Sequence, residues 1–261
     1  MLEIIDAHAH LGPWPKFAVP DPSTAATLSL MDHLGVRAAI VAHHAGIVGL
    51  LEEAASLSEE AYATSDGRIL SYLVYNPNRA RQSLSIIRKH VGRPYLAGVK
   101  IHPSQHDCPA DDERYRAAWE FAREHNLVLI SHTWGHSVDH PAQNNTFPDL
   151  FERYLAEFPD VRFVFGHGGG RYDGFLACAR LMKTYSNTYL DITGDGFLRG
   201  RLEYFVNELG SERILYGSDS PWIDPRFVLG EVLGARISDE DRENILSANA
   251  VRLFRLEENG H

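Results

Sequence analysis

The chain has 261 residues, and its hydrophobic fraction of 44% and charged fraction of 23% are typical of a globular protein with one large core. No apolar run reaches the roughly 18 residues of a membrane span, so we expect no membrane partner. A formal charge of -10 disfavours nucleic acid as a partner, because nucleic-acid binders generally carry a basic stripe. The two cysteines have no ligand or disulfide spacing and no signal segment precedes the first strand, so we expect a cytoplasmic protein with free thiols.

The predicted elements alternate regularly along the chain. Apolar, β-branched and aromatic runs predict eight strands, at residues 2–10, 36–42, 69–75, 96–101, 127–131, 161–165, 188–192 and 213–216. Segments rich in Ala, Glu and Leu predict the helices, at residues 24–34, 51–64, 80–91, 111–125, 147–158, 175–184, 201–209 and 238–246. Ser23 is expected to cap the first helix and Gly35 to end it.

This alternation predicts the fold class. Strands and helices that alternate at about 30 residues indicate right-handed βαβ units and a parallel sheet. Eight such units predict an α/β protein with a single (β/α)8 TIM barrel over residues 1–261. The alternative, an open doubly wound sheet, is disfavoured because residues 11–15 lack the glycine fingerprint of a dinucleotide-binding turn.

Polar side chains collect where the predicted strands end. His8 and His10 lie on the same face of the first strand, with backbones about 7 Å apart. In a barrel the carboxyl ends of all strands meet at one face, where the chemistry takes place. Histidines that only satisfy the core would need a coincidence at five separate strands, so a metal centre is the better interpretation. The other residues at equivalent positions are Lys100, His102, His132, His167 and Asp219.

The residue types narrow the choice of ion. Imidazole and carboxylate ligands without a thiolate suit zinc, manganese, iron or nickel. Zinc is the ion that we expect, with the other three as alternatives.

Several motifs resemble those of the amidohydrolase superfamily, and more narrowly those of the amidohydrolase-related group that includes aminocarboxymuconate-semialdehyde decarboxylase. The similarity extends from end to end and is specific for membership, but much less specific for substrate. It is carried by Asp6-Ala7-His8-Ala9-His10, Gly98-Val99-Lys100-Ile101-His102-Pro103, Ile130-Ser131-His132-Thr133, Phe165-Gly166-His167-Gly168-Gly169 and Tyr216-Gly217-Ser218-Asp219-Ser220-Pro221.

The resemblance implies a set of metal ligands. His8, His10 and Asp219 would hold a first ion, joined by His132 in single-metal members. In two-metal members, a carbamylated lysine on the fourth strand bridges the ions, and Lys100 stands at that position. His132 and His167 would then hold the second ion. The competing interpretation leaves Lys100 as an unmodified cation, so one ion and two ions both stay open.

The resemblance also implies a reaction. We expect a metal-dependent hydrolase in which metal-activated water attacks an amide, a lactone or a related carbonyl bond of a small molecule. Asp219 would carry the proton, and His167 would polarise the carbonyl or the water. The alternative is a non-oxidative decarboxylase that acts on a small carboxylic acid at the same site. A barrel that binds a ligand without turnover is a weaker alternative, and a metal-dependent deoxyribonuclease is weaker still.

Substrate choice should depend on the loops that follow the strands. The longest predicted loops cover residues 11–22, 103–110 and 133–146. We expect His102, Trp134 and Arg171 to bind the substrate, with Arg171 facing an anionic group. A solvated arginine is the alternative for Arg171. A homo-oligomer is compatible with the sequence.

Overall fold

The computed structural model describes residues 3–194, 196 and 198–256. Eight parallel strands lie side by side in chain order, so the predicted (β/α)8 TIM barrel is confirmed. The strands are β1 (Ile4–Leu11), β2 (Val36–His43), β3 (Ile69–Val74), β4 (Leu96–Ile101), β5 (Val128–His132), β6 (Phe163–Gly166), β7 (Thr188–Asp191) and β8 (Ile214–Leu215).

The barrel closes between its first and last strands through backbone hydrogen bonds that lie mostly beyond β8. The N–H of Ala7 donates to the carbonyl of Tyr216 at 2.9 Å, and the N–H groups of Ser218 and Asp219 both donate to the carbonyl of His8 at 3.0 Å. The segment after β8 therefore continues along β1. This pairing brings Asp219 beside the first-strand histidines.

The helices pack around the barrel. They are α1 (Thr24–Leu34), α2 (His44–Ile47), α3 (Leu51–Thr64), α4 (Ala80–His90), α5 (Arg116–Glu124), α6 (Glu152–Glu157), α7 (Tyr172–Thr184), α8 (Arg201–Leu209), α9 (Pro225–Gly234), α10 (Asp239–Glu243) and α11 (Asn249–Phe254). Within the described residues, no helix is long and apolar enough to cross a membrane.

Local sequence explains where α1 begins and ends. The side chain of Ser23 accepts a hydrogen bond from the N–H of Ala26 at 3.2 Å, which satisfies one of the free donors of the first turn. Gly35 ends the helix at φ 72°, a left-handed conformation that costs glycine little. Both predicted boundaries of this helix are confirmed.

Three predicted helices differ from the structure in detail. Residues 111–125 begin with a 3₁₀ turn at Glu113–Tyr115, and residues 147–158 begin with one at Pro148–Phe151. The predicted last helix is interrupted by a π-helical turn at Asn244–Ala248 before α11. Alpha-helical periodicity alone does not distinguish these turns, because each is too short for its different number of residues per turn to change the apolar pattern.

Helix α9 was not predicted. Asp224 caps it by accepting a hydrogen bond from the N–H of Arg226 at 3.0 Å, and Pro225 occupies the first turn. Asp followed by Pro is a helix-start signal that the sequence does contain. The helix follows β8 and completes the eighth unit of the barrel.

Candidate metal centre and substrate cavity

The six side chains that were predicted as metal ligands meet at the carboxyl ends of the strands. All six are buried, and five of them line a cavity of about 560 Å³ that opens at this face. Its floor is formed by His10, Lys100, His132, His167 and Asp219, while His8 lies beneath, in contact with Lys100. Whether each of them binds a metal stays a prediction.

His8, His167 and Asp219 form a group that could hold a metal ion, because their ligand atoms lie within 4.8 Å of one another. The Nε2 atom of His8 lies 3.8 Å from Oδ1 of Asp219, and Nδ1 of His167 lies 3.8 Å from Oδ2 of the same carboxylate. The Nε2 atom of His10 is also close, at 3.1 Å from Oδ1 of Asp219. One carboxylate thus faces three imidazoles.

Acceptor groups fix the tautomers of both first-strand histidines. The carboxylate of Asp191 can only accept, so Nδ1 of His8, at 2.9 Å from its Oδ2, carries the proton. The carbonyl of Ala42 likewise accepts from Nδ1 of His10 at 2.9 Å. In a neutral ring the other nitrogen is then bare. Both histidines therefore turn a lone pair on Nε2 toward the floor of the cavity.

His167 completes the group from the opposite side. Its Nδ1 is buried and has no hydrogen-bond partner among the residues that the structure describes, an exception to the rule that buried polar atoms are paired. Gly194 leaves the space beside this atom, because a Cβ at residue 194 would lie only 2.6 Å from Nδ1. The backbone of His167 has φ 65°, and its N–H donates to Oδ1 of Asp191 at 2.8 Å.

These residues fit a divalent cation. Burial lowers the pKa of His10 to about 3, so its ring is neutral and its only N–H is used on Ala42. The bare Nε2 then faces Oδ1 of Asp219 at 3.1 Å, lone pair against lone pair. A cation bound between the two atoms would replace that repulsion with two ligand bonds. The unpartnered Nδ1 of His167 supports the same conclusion.

Asp219 is held in place from below. Its φ is 61°, an uncommon conformation for a residue other than glycine, and it follows Ser218 in the segment that pairs with β1. The carboxylate of Asp6 accepts hydrogen bonds from the N–H and the hydroxyl of Ser218 and from the N–H of His8. Burial raises the pKa of Asp219, but the adjacent imidazoles of His167, His10 and His8 outweigh it and hold that pKa below its usual range.

Lys100 is fully buried with its Nζ 2.6 Å from Nε2 of His8. Burial lowers the pKa of its ammonium to about 8, although Asp191 and Asp219 act in the opposite direction. The lysine therefore points at the same nitrogen as the proposed ion. Its carbamylation, and a second ion bridged by it, stay predictions.

His132 contacts the group of His8, His167 and Asp219 through the ring of His167. Its Nδ1 is 2.8 Å from Nε2 of His167, and its Nε2 is 2.8 Å from Oε1 of Gln143. Both ring nitrogens are thus occupied within the protein. That His132 binds a metal ion stays a prediction.

Aromatic rings form the walls of the cavity. On one side Trp222 stacks on His10 with ring centroids 3.7 Å apart, and Trp14 meets Trp222 edge-on at 4.4 Å. On the other side His132 lies parallel to His102 at 4.4 Å and to Trp134 at 5.9 Å. Such walls suit a flat, unsaturated ligand.

The predicted substrate-binding residues all line the cavity. His102 and Trp134 are buried in its wall. Gly170 allows Trp134 to lie where it does, since a Cβ at residue 170 would be 2.3 Å from the indole ring. Arg171 is exposed, and it makes no ion pair with any residue that the structure describes. A free guanidinium beside aromatic walls can bind an anion.

Asp191 and Gln143 were not assigned a role from the sequence. Asp191 ends β7, and the rule that placed the other ligands at strand ends applies to it equally. Trp222 follows Asp219 closely, so its place beside the site could have been expected. Gln143 lies in a 3₁₀ turn at Pro141–Thr146, eleven residues after His132, and nothing in the local sequence reveals which side chain it reaches.

Together the barrel and the buried His-His-Asp group define an enzyme with a candidate site for a divalent metal at the carboxyl face of its strands. The amidohydrolase family model matches residues 5–256, so the chain belongs to the amidohydrolase family.

Individual relatives were compared as well. The chain is 31% identical over 133 residues to the 2-amino-3-carboxymuconate-6-semialdehyde decarboxylase of Caenorhabditis elegans, a match that covers 42% of this chain and 32% of the relative. The match therefore spans about a third of that protein.

Among solved structures, 5-carboxyvanillate decarboxylase from Sphingomonas paucimobilis has a TM-score of 0.75 at 17% identity, with 98% of this chain and 99% of that chain covered. A dihydroxybenzoic acid decarboxylase from Polaromonas sp. JS666, with bound manganese and the inhibitor 2-nitroresorcinol, has a TM-score of 0.74 at 17% identity, with 99% and 98% covered. At this identity, both show a shared fold.

The prediction of an amide or lactone hydrolase is wrong. The curated relative is a decarboxylase, which favours the alternative that the sequence left open. The physical reason for the error is that the residues at the strand ends define a metal centre and no more. The same ligands can orient a water for attack or a carboxylic acid for loss of carbon dioxide, and the motifs do not distinguish these two uses.

Proposed function

We propose that the protein is a metal-dependent non-oxidative decarboxylase of a small, unsaturated or aromatic carboxylic acid. The observation that carries the proposal is the similarity to a decarboxylase over 133 residues. The geometry supports it because a buried metal-ligand group lies under aromatic walls and beside a free guanidinium. The expected ion is zinc, with manganese, iron and nickel as alternatives.

His8, His167 and Asp219 would hold the ion, with His10 adjacent to the same carboxylate. When bound, a divalent metal supplies a Lewis acid that withdraws electron density from a substrate oxygen. The bare nitrogens described above are already directed at this point, so binding needs no change of tautomer at His8 or His10.

Binding and orientation of the substrate would come from the cavity walls. Trp134 offers a flat indole face, and Arg171 would pair with a substrate carboxylate or another anionic group. His102 has Nδ1 3.2 Å from the hydroxyl of Ser104, so its ring is held in the wall with one nitrogen left for the substrate. The aromatic walls also exclude water from the reacting carbon.

The reaction needs one proton. A proton is added to the carbon that carries the carboxylate, the bond between that carbon and the carboxyl carbon breaks, its electron pair returns to the unsaturated system, and carbon dioxide leaves. Asp219 and His167 are the residues that we propose to carry this proton. Both line the cavity, and their facing atoms lie 3.8 Å apart.

The test is release of carbon dioxide by the metal-loaded protein. Purified protein reconstituted with zinc or manganese would be incubated with 2,6-dihydroxybenzoate, 5-carboxyvanillate and 2-amino-3-carboxymuconate-6-semialdehyde, with methyl esters of the two benzoic acids as controls. We expect one of the acids to lose carbon dioxide, and the product formed in D2O to carry one deuteron at the vacated carbon. Metal-loaded protein that binds these acids without releasing carbon dioxide would contradict the proposal.

An Asp219→Asn variant should lose at least about 100-fold in turnover, as is typical when a positioned proton carrier is removed. Asp160→Asn, on the exposed surface, is the matched control. Equal activity of the two variants would remove Asp219 from the mechanism.

A further inference from the structure

Trp222 connects the floor of the cavity with the loop that follows β1. Its indole stacks on His10 with ring centroids 3.7 Å apart, and its Nε1 donates a hydrogen bond to the carbonyl of Gly12 at 3.2 Å. The side chain is buried, although it lines the cavity. A single indole therefore touches both a candidate metal ligand and the first residue of the β1–α1 loop, residues 12–22.

The β1–α1 loop has little backbone structure of its own. The structure describes all of its residues, and none of them belongs to a helix or a strand. Within the loop, the N–H of Phe17 donates to the carbonyl of Trp14 at 2.9 Å, and the N–H of Val19 donates to the carbonyl of Phe17 at 3.0 Å. These short-range bonds shape the loop but do not attach it to the barrel. Between its two ends, the attachment of the loop depends on side chains.

Aromatic side chains supply that attachment, and Trp222 is the ring that they share. Trp14 meets Trp222 edge-on at 4.4 Å, and Phe17 lies parallel to Trp222 at 6.1 Å. Trp14 also stacks on His44, which begins α2, at 5.4 Å. Edge-on and offset parallel arrangements are the ones that aromatic rings prefer. Because Trp14 and Phe17 both line the cavity, the ring that holds them also fixes the position of this wall.

The barrel fixes the indole itself. The N–H of Trp222 donates to the carbonyl of Asp219 at 3.0 Å, which closes a turn directly after the segment that pairs with β1. The N–H of His10 donates to the carbonyl of Ser220 at 2.7 Å, so the same turn is bonded to the first strand. Trp222 is thus held by the barrel backbone, and the loop in turn is held by Trp222.

We propose that Trp222 is a positioning residue that holds the β1–α1 loop in place as one wall of the substrate cavity. It acts through the carbonyl of Gly12 and through the rings of Trp14 and Phe17. Without the indole, the loop would leave this position for part of the time, and a substrate would bind only those molecules in which the wall is in place. The apparent affinity falls by that fraction, while the reaction of bound substrate is unchanged.

The first test measures local opening of the loop in metal-free protein without substrate. Hydrogen–deuterium exchange would be compared between the wild type and Trp222→Leu, for peptides from the β1–α1 loop and from β5. Loss of one indole hydrogen bond and two ring contacts should speed exchange in the loop on the order of 10-fold, with β5 unchanged. Unchanged exchange in the loop, or an equal rise in β5, would overturn the proposal.

Two further variants make this test decisive. Trp134→Leu is the same substitution on the other wall of the cavity, and it should leave exchange in the β1–α1 loop unchanged. A rise as large as that in Trp222→Leu would count against the proposal. Trp222→Phe keeps a flat ring but has no N–H donor, so it should give an intermediate rise that is confined to the loop. It carries the expectation should Trp222→Leu fail to fold.

The second readout is kinetic, and this part of the inference rests on the proposed function. With the acid that the protein decarboxylates, Trp222→Leu should raise KM roughly 10-fold and change kcat by less than about 3-fold, because substrate binding selects the molecules in which the wall is in place. Trp222→Phe should recover part of the affinity. A loss of kcat at an unchanged KM would be incompatible with the proposal.

A double-mutant cycle separates action through the loop from direct contact with the substrate. Because Trp222 acts through Trp14, Trp14→Leu and Trp222→Leu should together raise KM by clearly less than the product of their separate factors. Trp134→Leu combined with Trp222→Leu should give the full product. Full multiplication in the pair with Trp14 would refute action through the loop. Protein that releases carbon dioxide from none of the acids would contradict the proposed function alone, since exchange is measured without metal or substrate.

Discussion

The carboxylate of Asp191 accepts a hydrogen bond from Nδ1 of His8 at 2.9 Å and another from the backbone N–H of His167 at 2.8 Å. One side chain at the end of β7 therefore orients two candidate metal ligands from different strands. Burial raises the pKa of Asp191, but the adjacent His8 and its hydrogen bond lower that pKa by more. The carboxyl group of Asp191 is therefore ionised in the folded protein.

Replacement of Asp191 by Asn should weaken metal binding by about 10- to 100-fold. The single amide oxygen would stay with the backbone N–H groups of His167 and Thr193, so the NH2 group would face Nδ1 of His8. His8 would then carry its proton on Nε2, which is directed at the ion. Zinc titration of Asp191→Asn and of the surface control Asp160→Asn measures this effect. Equal affinities would show that the tautomer of His8 does not depend on Asp191.

A Gly194→Ala variant should lose most of its bound metal while it still folds. The new Cβ would lie 2.6 Å from Nδ1 of His167, and the residue would be strained at φ 90°, at a cost of about 1–3 kcal/mol. Gly35→Ala is the matched control, because its φ is 72° and nothing lies within 4 Å of its Cβ. Elemental analysis and urea unfolding separate the two effects. Full metal content in Gly194→Ala would show that the space beside His167 is not needed.

Loss of the Arg171 side chain should raise KM more than it lowers kcat. Arg171 lines the cavity and has no ion pair within the described part of the chain, so Arg171→Met would remove binding that ground state and transition state share. We expect KM to rise roughly 10-fold or more, and Arg171→Lys to fall in between because it keeps the charge. Steady-state kinetics with any substrate found for the enzyme would measure KM and kcat of these variants. A selective loss of kcat would instead place Arg171 in the chemical step.

Acid should destabilise the metal-free protein below about pH 6.5. Burial lowers the pKa of His43 and of His106 to about 4, from an ordinary value of 6.5. Between these values the unfolded chain binds protons that the folded protein does not, so stability falls as pH decreases. Asp6 acts in the opposite direction, because burial raises its pKa to about 7.

The measurement is the urea midpoint of the metal-free protein at pH 7, 6 and 5. His106→Gln removes one site that binds a proton only in the unfolded chain. The free energy of unfolding of this variant should therefore fall less steeply with decreasing pH than that of the wild type, by up to about 1.4 kcal/mol per pH unit. A midpoint that rises on acidification would mean that Asp6 dominates over the buried histidines.

The sequence by itself determined the barrel and the positions of the candidate ligands. Eight strands alternating with helices leave few topologies, and in a parallel barrel every strand delivers its last residues to the same face. His8, Lys100, His132, His167 and Asp219 could therefore be placed together although they are distant along the chain. Helix α9 was missed although Asp224 and Pro225 mark its start, so that error was one of interpretation.

Only the tertiary structure decided which nitrogen of each histidine faces the site. The partner of His8 is Asp191, 183 residues away, and a partner of His132 is Gln143, in the 3₁₀ turn Pro141–Thr146. Such contacts depend on side-chain directions and on the path of a loop, which no local periodicity encodes. The choice of reaction was likewise beyond the motifs, because the physical requirements of metal binding are the same for hydrolysis and for decarboxylation.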